Sequence, residues 1–225
     1  YLISVHFCSP ACSRFQLALV IPLYLKWHAD SKHLLLLAKK AVNTYSIGMD
    51  PALKRKIRNQ LIAARKALTP EKIRDRSAAI CRRISELDAW ADAREVLAYM
   101  PVDGEVDVAP LVEELWRRGS RVLLPRCRPG EPGMMDLACP VGIHEVAPGA
   151  YGIPEPIPDT CPALEYCSPQ LVLVPGVGFD ESGMRIGMGG GYYDRLLASG
   201  KLGGALTIFP AYSFQLVENV PKQAW

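Results

Sequence analysis

The 225-residue sequence predicts an α/β fold: a single-domain, three-layer α/β/α arrangement with an open, mostly parallel, Rossmann-like sheet and two N-terminal helices. Three observations predict it. Leu171 to Val174 (LVLV) is apolar without polar alternation, as a parallel strand buried on both faces requires. Val96 to Met100 and Arg121 to Leu124 are strand-length apolar runs that bracket an amphipathic helix, the βαβ unit of a parallel sheet. A glycine-rich loop follows the LVLV run and leads into a helix, beyond the strand end where open α/β sheets bind ligands.

In chain order, residues 1–48 come first, and they differ from the rest. They carry five basic residues and one acid, a charge of +4, whereas residues 49–225 carry 21 basic and 22 acidic residues, a charge of −1. Three of the four histidines lie there but only one of the 18 glycines. The apolar run Phe15 to Leu25 is about eleven residues long, short of the roughly 20 that span a bilayer as a helix. Lys26, Trp27 and His28 follow it instead of a small-residue cleavage site. Residues 1–48 are therefore expected to be an extension outside the fold, a membrane anchor or targeting peptide being the alternative. Met49 reads as a natural start, with Asp50 as a helix cap and Pro51 in the first turn.

Leu53, Ile57, Leu61, Ala64 and Leu68 recur at helical spacing and define the first helix. Thr69-Pro70-Glu71 caps a second, with Ile73, Ile80, Ile84 and Leu87 on one face. The Val96 strand then leads into the loop Pro101 to Val106. Asp107 caps a helix that buries Val108, Leu111, Val112 and Leu115 and ends at Gly119, before the Arg121 strand. Residues 148–169 hold six prolines and are expected to be a surface loop rather than a strand. After the LVLV strand and its loop come a helix from Tyr192 to Ala198 and a last strand from Gly204 to Phe209.

The apolar fraction of 49% and charged fraction of 22% exclude disorder, a collagen-like chain and a polytopic membrane protein. The net charge of +3 is weak support for a nucleic-acid partner, since the excess belongs to the first 48 residues. Seven scattered cysteines form no CxxC pair, and His144 is the one histidine after residue 48, which argues against structural zinc. The odd count suits reduced thiols, with a Cys161–Cys167 pairing left open.

The chemistry concentrates in Pro175 to Arg195, PGVGFDESGMRIGMGGGYYDR. Glycines 176, 178, 183, 187, 189 and 190 precede Gly191 at a helix start, where backbone amides attract anions. Arg185 is a fixed cation suited to phosphate oxygens, and Asp194 can take one position on a Mg²⁺ ion. Together they suggest a nucleoside triphosphate with Mg²⁺. The loop is neither a Walker A sequence, lacking its Gly-Lys-Ser/Thr ending, nor a dinucleotide fingerprint in the first βα turn. A flexible glycine turn is the plain alternative. Lys54 and Arg58 share one helix face and read as a phosphate clamp or as a solvated surface. Glu105 lies where a loop after a strand contacts ligands, or is an exposed acid. Met100 suits core packing, and Tyr151 to Pro156 (YGIPEP) a rigid turn.

Taken together, LVLVPGVGFDESGMRIGMGGGYYDRLL, YGIPEP, VDGEVDVAPLVEELWRRGSRVLLP and KRKIRNQLIAARKALTPE resemble the 5-formyltetrahydrofolate cyclo-ligase family (5,10-methenyltetrahydrofolate synthetase) over about residues 50–225. The resemblance implies a cytoplasmic, monomeric enzyme of one-carbon metabolism, with no nucleic-acid or membrane partner. Its substrate is 5-formyltetrahydrofolate, with or without a polyglutamate tail, and its co-substrate is ATP with Mg²⁺. Phosphorylation turns the formamide oxygen into a good leaving group, and nitrogen 10 of the folate closes the ring, leaving ADP and phosphate. Carried over by residue, Lys54, Arg55, Lys56, Ile57 and Arg58 match the phosphate-binding segment, and Arg185, Ile186, Gly187, Met188, Gly189, Gly190, Gly191, Tyr192 and Tyr193 the ATP loop. Arg58, Met100, Glu105 and Met188 to Tyr192 match folate contacts, Arg185 and Tyr193 carry the catalytic roles, and Asp194 matches a metal ligand. Gly190 stands where some members carry a lysine. Members start near the position of Met49 and continue beyond that of Trp225, with a further aspartate on the metal and a final strand. The body, residues 49–225, is therefore expected to be truncated there, with folate or nucleotide binding without turnover as the alternative function.

Overall fold

A computed structural model describes residues 5–7 and 51–221. The elements in chain order are β1 (Val5–Phe7), α1 (Pro51–Lys66), α2 (Pro70–Ser85), α3 (Asp88–Asp92), β2 (Glu95–Leu97) and α4 (Ala109–Arg117). There follow β3 (Arg121–Cys127), β4 (Met135–Ala138), β5 (Val146–Pro148), β6 (Pro154–Pro156) and β7 (Leu171–Leu173). The last are β8 (Gly178–Phe179), β9 (Arg185–Ile186), α5 (Tyr192–Ala198) and β10 (Leu206–Ile208).

The main sheet runs β1-β10-β7-β2-β3-β4. Its four central strands are parallel, and both edge strands are antiparallel. Alternation along the strands divides the core in two. Val96, Val122, Leu124, Leu171, Leu173 and Ile208 face one side, where Ile80 and Ile84 of α2, Trp90 of α3 and Leu111 and Leu115 of α4 cover them. Leu97, Leu123, Val172 and Val174 face the other, under Leu196 of α5, Leu202 and Phe209. The three layers are those predicted, although one outer layer is a seven-residue helix supplemented by irregular chain.

Most predicted elements appear with boundaries shifted by a few residues. The Thr69 hydroxyl accepts from the Lys72 amide at 3.3 Å, and Pro70 begins α2. Asp107 accepts from the Ala109 amide at 3.0 Å at the head of α4. Two findings depart from expectation. The proline-rich stretch contains β6, paired with β5 at Val146↔Pro156, Ala147↔Glu155 and Pro148↔Pro154. A two-stranded ribbon tolerates proline because each strand is an edge with one face of N–H groups unpaired anyway. Of residues 1–48, expected to lie outside the fold, the three described ones pair antiparallel with β10. An open edge strand presents a row of unpaired backbone groups, and any short extended segment within reach can satisfy them. The Phe15–Leu25 run, the Asp50 cap and the end at Trp225 lie outside the described residues.

Candidate functional site

The glycine-rich segment is not a free loop. Gly178 and Phe179 in β8 pair with Arg185 and Ile186 in β9. Buried Asp180 closes the turn between them, its Oδ1 accepting from the Ser182 and Met184 amides and its Oδ2 from the Val220 amide at 2.8 Å. Gln215 donates to the carbonyls of Gly176 and Val177, both at 3.0 Å. The segment thus has a fixed root, and residues 187–191 form its accessible tip. Gly191 sits at φ +69°, where a side chain would be strained and its Cβ would lie 3.0 Å from Arg195 Nη1. Arg195 straps the tip down by donating to Gly190 O at 2.9 Å and Gly133 O at 3.3 Å.

Helix α1 packs across this segment. Ile57, Leu61 and Ile62 meet Val177, Ile186 and Val220 in a small apolar cluster. That contact brings Arg58 onto the tip, where its Nε donates to Gly187 O at 2.8 Å. Lys54, one turn earlier, feels the charges of Asp194, Arg58 and Arg185. Burial pushes its ammonium pKa down, the two arginines push the same way, and Asp194 opposes them. Arg55 and Lys56 are exposed on other faces of the helix. The Arg185 side chain is 7% exposed; it donates to Pro175 O at 3.2 Å, pairs with the Asp194 carboxylate and lies 5.5 Å from the Tyr193 ring centre. The structure therefore gathers Lys54, Arg58, Arg185, Asp194 and the glycine tip, residues more than a hundred positions apart. With only seven residues in α5, this positive potential comes from side chains more than from a helix dipole.

A second set of groups lies beside the first. The Tyr193 hydroxyl is buried without a hydrogen-bond partner among the described residues. Burial pushes its pKa up, as does the Glu105 charge, while Arg185 opposes, so it stays a neutral phenol. Glu105 lies in the 101–108 loop with its side chain 11% exposed, paired with Arg65 at 3.4 Å. Met100 is half-buried on the core below. Met188 is 57% exposed at the tip. Tyr192 reaches Tyr151, hydroxyl to hydroxyl at 3.1 Å, with the rings edge to face.

Sequence reasoning missed Arg65 and Tyr151. Arg65 had a signal, because it lies seven residues after Arg58 on the same face of α1. Tyr151 had a weaker one in YGIPEP, where it adopts φ +58° and is 78% exposed. The Cys127 thiol is pushed up to about 11 by burial and by Glu155, which makes it inert at neutral pH. The five described cysteines are free thiols, Cys161 and Cys167 among them. A cavity of about 390 Å³ between α1 and residues 217–221 adjoins neither Arg185 nor Glu105.

Comparison with known proteins matches residues 50–225 to the 5-formyltetrahydrofolate cyclo-ligase family. The 5-formyltetrahydrofolate cyclo-ligase of Escherichia coli (strain K12) is 34% identical over 161 residues, covering 72% of this chain and 88% of the relative. The protein of the same description from Haemophilus influenzae is 27% identical over 177 residues, covering 79% and 95%. The solution structure of Aquifex aeolicus 5,10-methenyltetrahydrofolate synthetase superposes with a TM-score of 0.63 at 32% identity, covering 77% of this chain and 84% of that one.

Proposed function

The chain belongs to the 5-formyltetrahydrofolate cyclo-ligase family, and from that premise we propose which of its residues carry the reaction. It is a ligase of folate one-carbon metabolism that converts 5-formyltetrahydrofolate to 5,10-methenyltetrahydrofolate, with ATP as co-substrate. The observation that carries the assignment is the meeting of Lys54 and Arg58 from α1 with Arg185 and Asp194 around the glycine tip.

Lys54, Arg58 and Arg185 bind the triphosphate oxygens, with the backbone of Gly187, Gly189, Gly190 and Gly191 lying close against the nucleotide. Arg55, Lys56 and Ile57 complete the segment, Ile57 by anchoring the helix on Ile186. The folate lies between the tip and the 101–108 loop, within reach of Arg58, Met100, Glu105, Met188 and Tyr192. Its formyl oxygen then faces the γ-phosphate. As that oxygen takes the phosphoryl group, Arg185 stabilises the charge shared by the transferring oxygens. Tyr193, a neutral donor, supplies the hydrogen bond its buried hydroxyl otherwise lacks. ADP is released, nitrogen 10 attacks the formyl carbon and gives up its proton, and phosphate departs as the ring closes. The protein's contribution is positioning and charge stabilisation.

Among the described residues no group of three or more His, Cys, Asp and Glu side chains could cage a metal, and Asp194 offers one carboxylate, 44% exposed. One carboxylate with nucleotide phosphates and waters is the usual environment of Mg²⁺, so the residues fit an ion that arrives with ATP. Asp194 would hold it, and the bound ion would neutralise phosphate charge. We place the enzyme in the cytoplasm as a monomer; the five described cysteines, all free thiols, support the reducing compartment. No helix among the described residues is long and apolar enough to cross a membrane.

The methenyl product absorbs in the near ultraviolet. The chain should give an absorbance rise that requires both 5-formyltetrahydrofolate and ATP. A rise that persists in a variant lacking the positive charges of Lys54, Arg58 and Arg185 would sink the residue assignment.

A further inference from the structure

Arg65 lies outside the phosphate cluster, yet it is the most buried charged side chain among the described residues, at 2% exposure. It makes one ion pair, Nη1 to Glu105 Oε1 at 3.4 Å, and its Nε has no hydrogen-bond partner. Taking both charges of a pair out of water costs about as much as their attraction returns, so such a pair is weak evidence of a stabilising role. The loop backbone is already held by other means. The Tyr212 hydroxyl donates to Glu105 O at 3.1 Å, the Asp107 amide to Ser77 Oγ at 2.9 Å and the Tyr99 hydroxyl to Val106 O at 2.9 Å. What Arg65 adds is a charged hold on Oε1 of the Glu105 carboxylate, whose Oε2 accepts from the Val102 amide at 3.3 Å.

We infer that Arg65 is a positioning residue: across the buried bridge from α1 it keeps the Glu105 carboxylate ionised and turned toward the folate. The inference rests on the reading of Glu105 as a folate contact. A pterin edge presents N–H donors, and an ionised carboxylate offers them two acceptor oxygens where a protonated one gives up acceptor capacity to its own proton. The groups facing Glu105 are Arg65 from α1, Asp103 from its own loop, Tyr99 beyond β2, Tyr193 from α5 and the Tyr212 hydroxyl at its carbonyl. Arg65 is the cation among them. Burial pushes the Glu105 carboxyl up; Arg65 and the Val102 amide pull it back, and Asp103 adds to the upward push. Loss of Arg65 leaves a buried carboxylate whose cheapest state is neutral.

The test is steady-state kinetics on Arg65→Met, Arg65→Lys, Glu105→Gln and Arg65→Met/Glu105→Gln, with KM for folate and for ATP measured separately across pH. Arg65→Met should raise the folate KM about tenfold or more, leave the ATP KM within about twofold, and move the acid limb of kcat/KM to higher pH. Arg65→Lys, which keeps the charge and the fold, should recover part of both effects. In the Glu105→Gln background, removing Arg65 should move the limb no further. Equal losses for both substrates with the acid limb in place, or a limb that still moves in the Glu105→Gln background, would overturn the role of Arg65. An unchanged folate KM in Glu105→Gln alone would instead remove the folate contact beneath it. If Arg65→Met does not fold, Arg65→Lys with its limb and folate KM at wild-type values overturns the inference as well.

Discussion

Tyr193 shows how a single side chain can be kept against stability. An unpaired buried hydroxyl costs about 1–3 kcal/mol, which phenylalanine would not incur. Tyr193→Phe should therefore melt at or above the wild-type temperature while losing about a hundredfold in turnover, the scale for one transition-state donor. Wild-type turnover in that variant would remove Tyr193 from the chemistry. Arg185→Ala should lose about 2–4 kcal/mol of transition-state stabilisation, roughly 30- to 1000-fold in kcat/KM. It also strips Asp194 of its ion pair, so a denaturation curve must accompany the kinetics to separate folding from catalysis. These two residues were legible because they lie within one dense motif. Arg65 was harder to see, because its partner is 40 positions away and only the fold reveals that the charge is buried.

The glycine segment and α1 work as one unit, and the contact between them sets the site. Asp180 and Gln215 hold the root, whereas the tip relies on glycines at positive φ, so the tip is where an added side chain should matter. Gly191→Ala must carry a side chain at φ +69° and press on Arg195, an expected loss of about 1–2 kcal/mol in chemical denaturation with a raised ATP KM. An unchanged ATP KM would mean that the tip geometry does not shape the nucleotide site. The helices and central strands were readable from periodicity because each buries its own stripe or run. The β5–β6 and β8–β9 pairs were not. They are two- and three-residue elements whose existence depends on a partner, and prolines or glycines mask their pattern. Cation placement on α1 was half legible: the Lys54–Arg58 face could be read, but not that Ile57 and Leu61 press that face onto the tip.

Across the whole molecule, charge and protonation act through burial. Deleting residues 1–48 should leave the parallel core folded and active but uncover the β10 edge, so light scattering should show more self-association. Unchanged scattering would make the β1 pairing dispensable. The larger effect concerns alkaline pH. Burial pushes the Cys81 thiol from 9.0 up to about 12 and the Cys127 thiol from 9.0 up to about 11, and it raises Tyr99, Tyr193 and Tyr212 as well. In each case the native state keeps a proton that the unfolded chain releases at lower pH. The unfolded chain then binds fewer protons, and the slope of stability against pH is negative. The contribution of these groups is complete below the unfolded thiol value of 9.0 and declines as pH climbs through the raised values. Lys54 is shifted downward and works in the opposite sense, a single ammonium against several thiols and phenols. Melting temperature should therefore hold steady from about pH 7 to pH 8.5 and fall progressively above about pH 9. Cys81→Ala should flatten part of that fall, because its thiol donates to Asp107 O at 3.2 Å and must stay protonated to do so. A melting temperature that stayed level to about pH 10.5 would show that these protons are released without loss of the fold, and that burial of the thiols and phenols is looser than the structure has it.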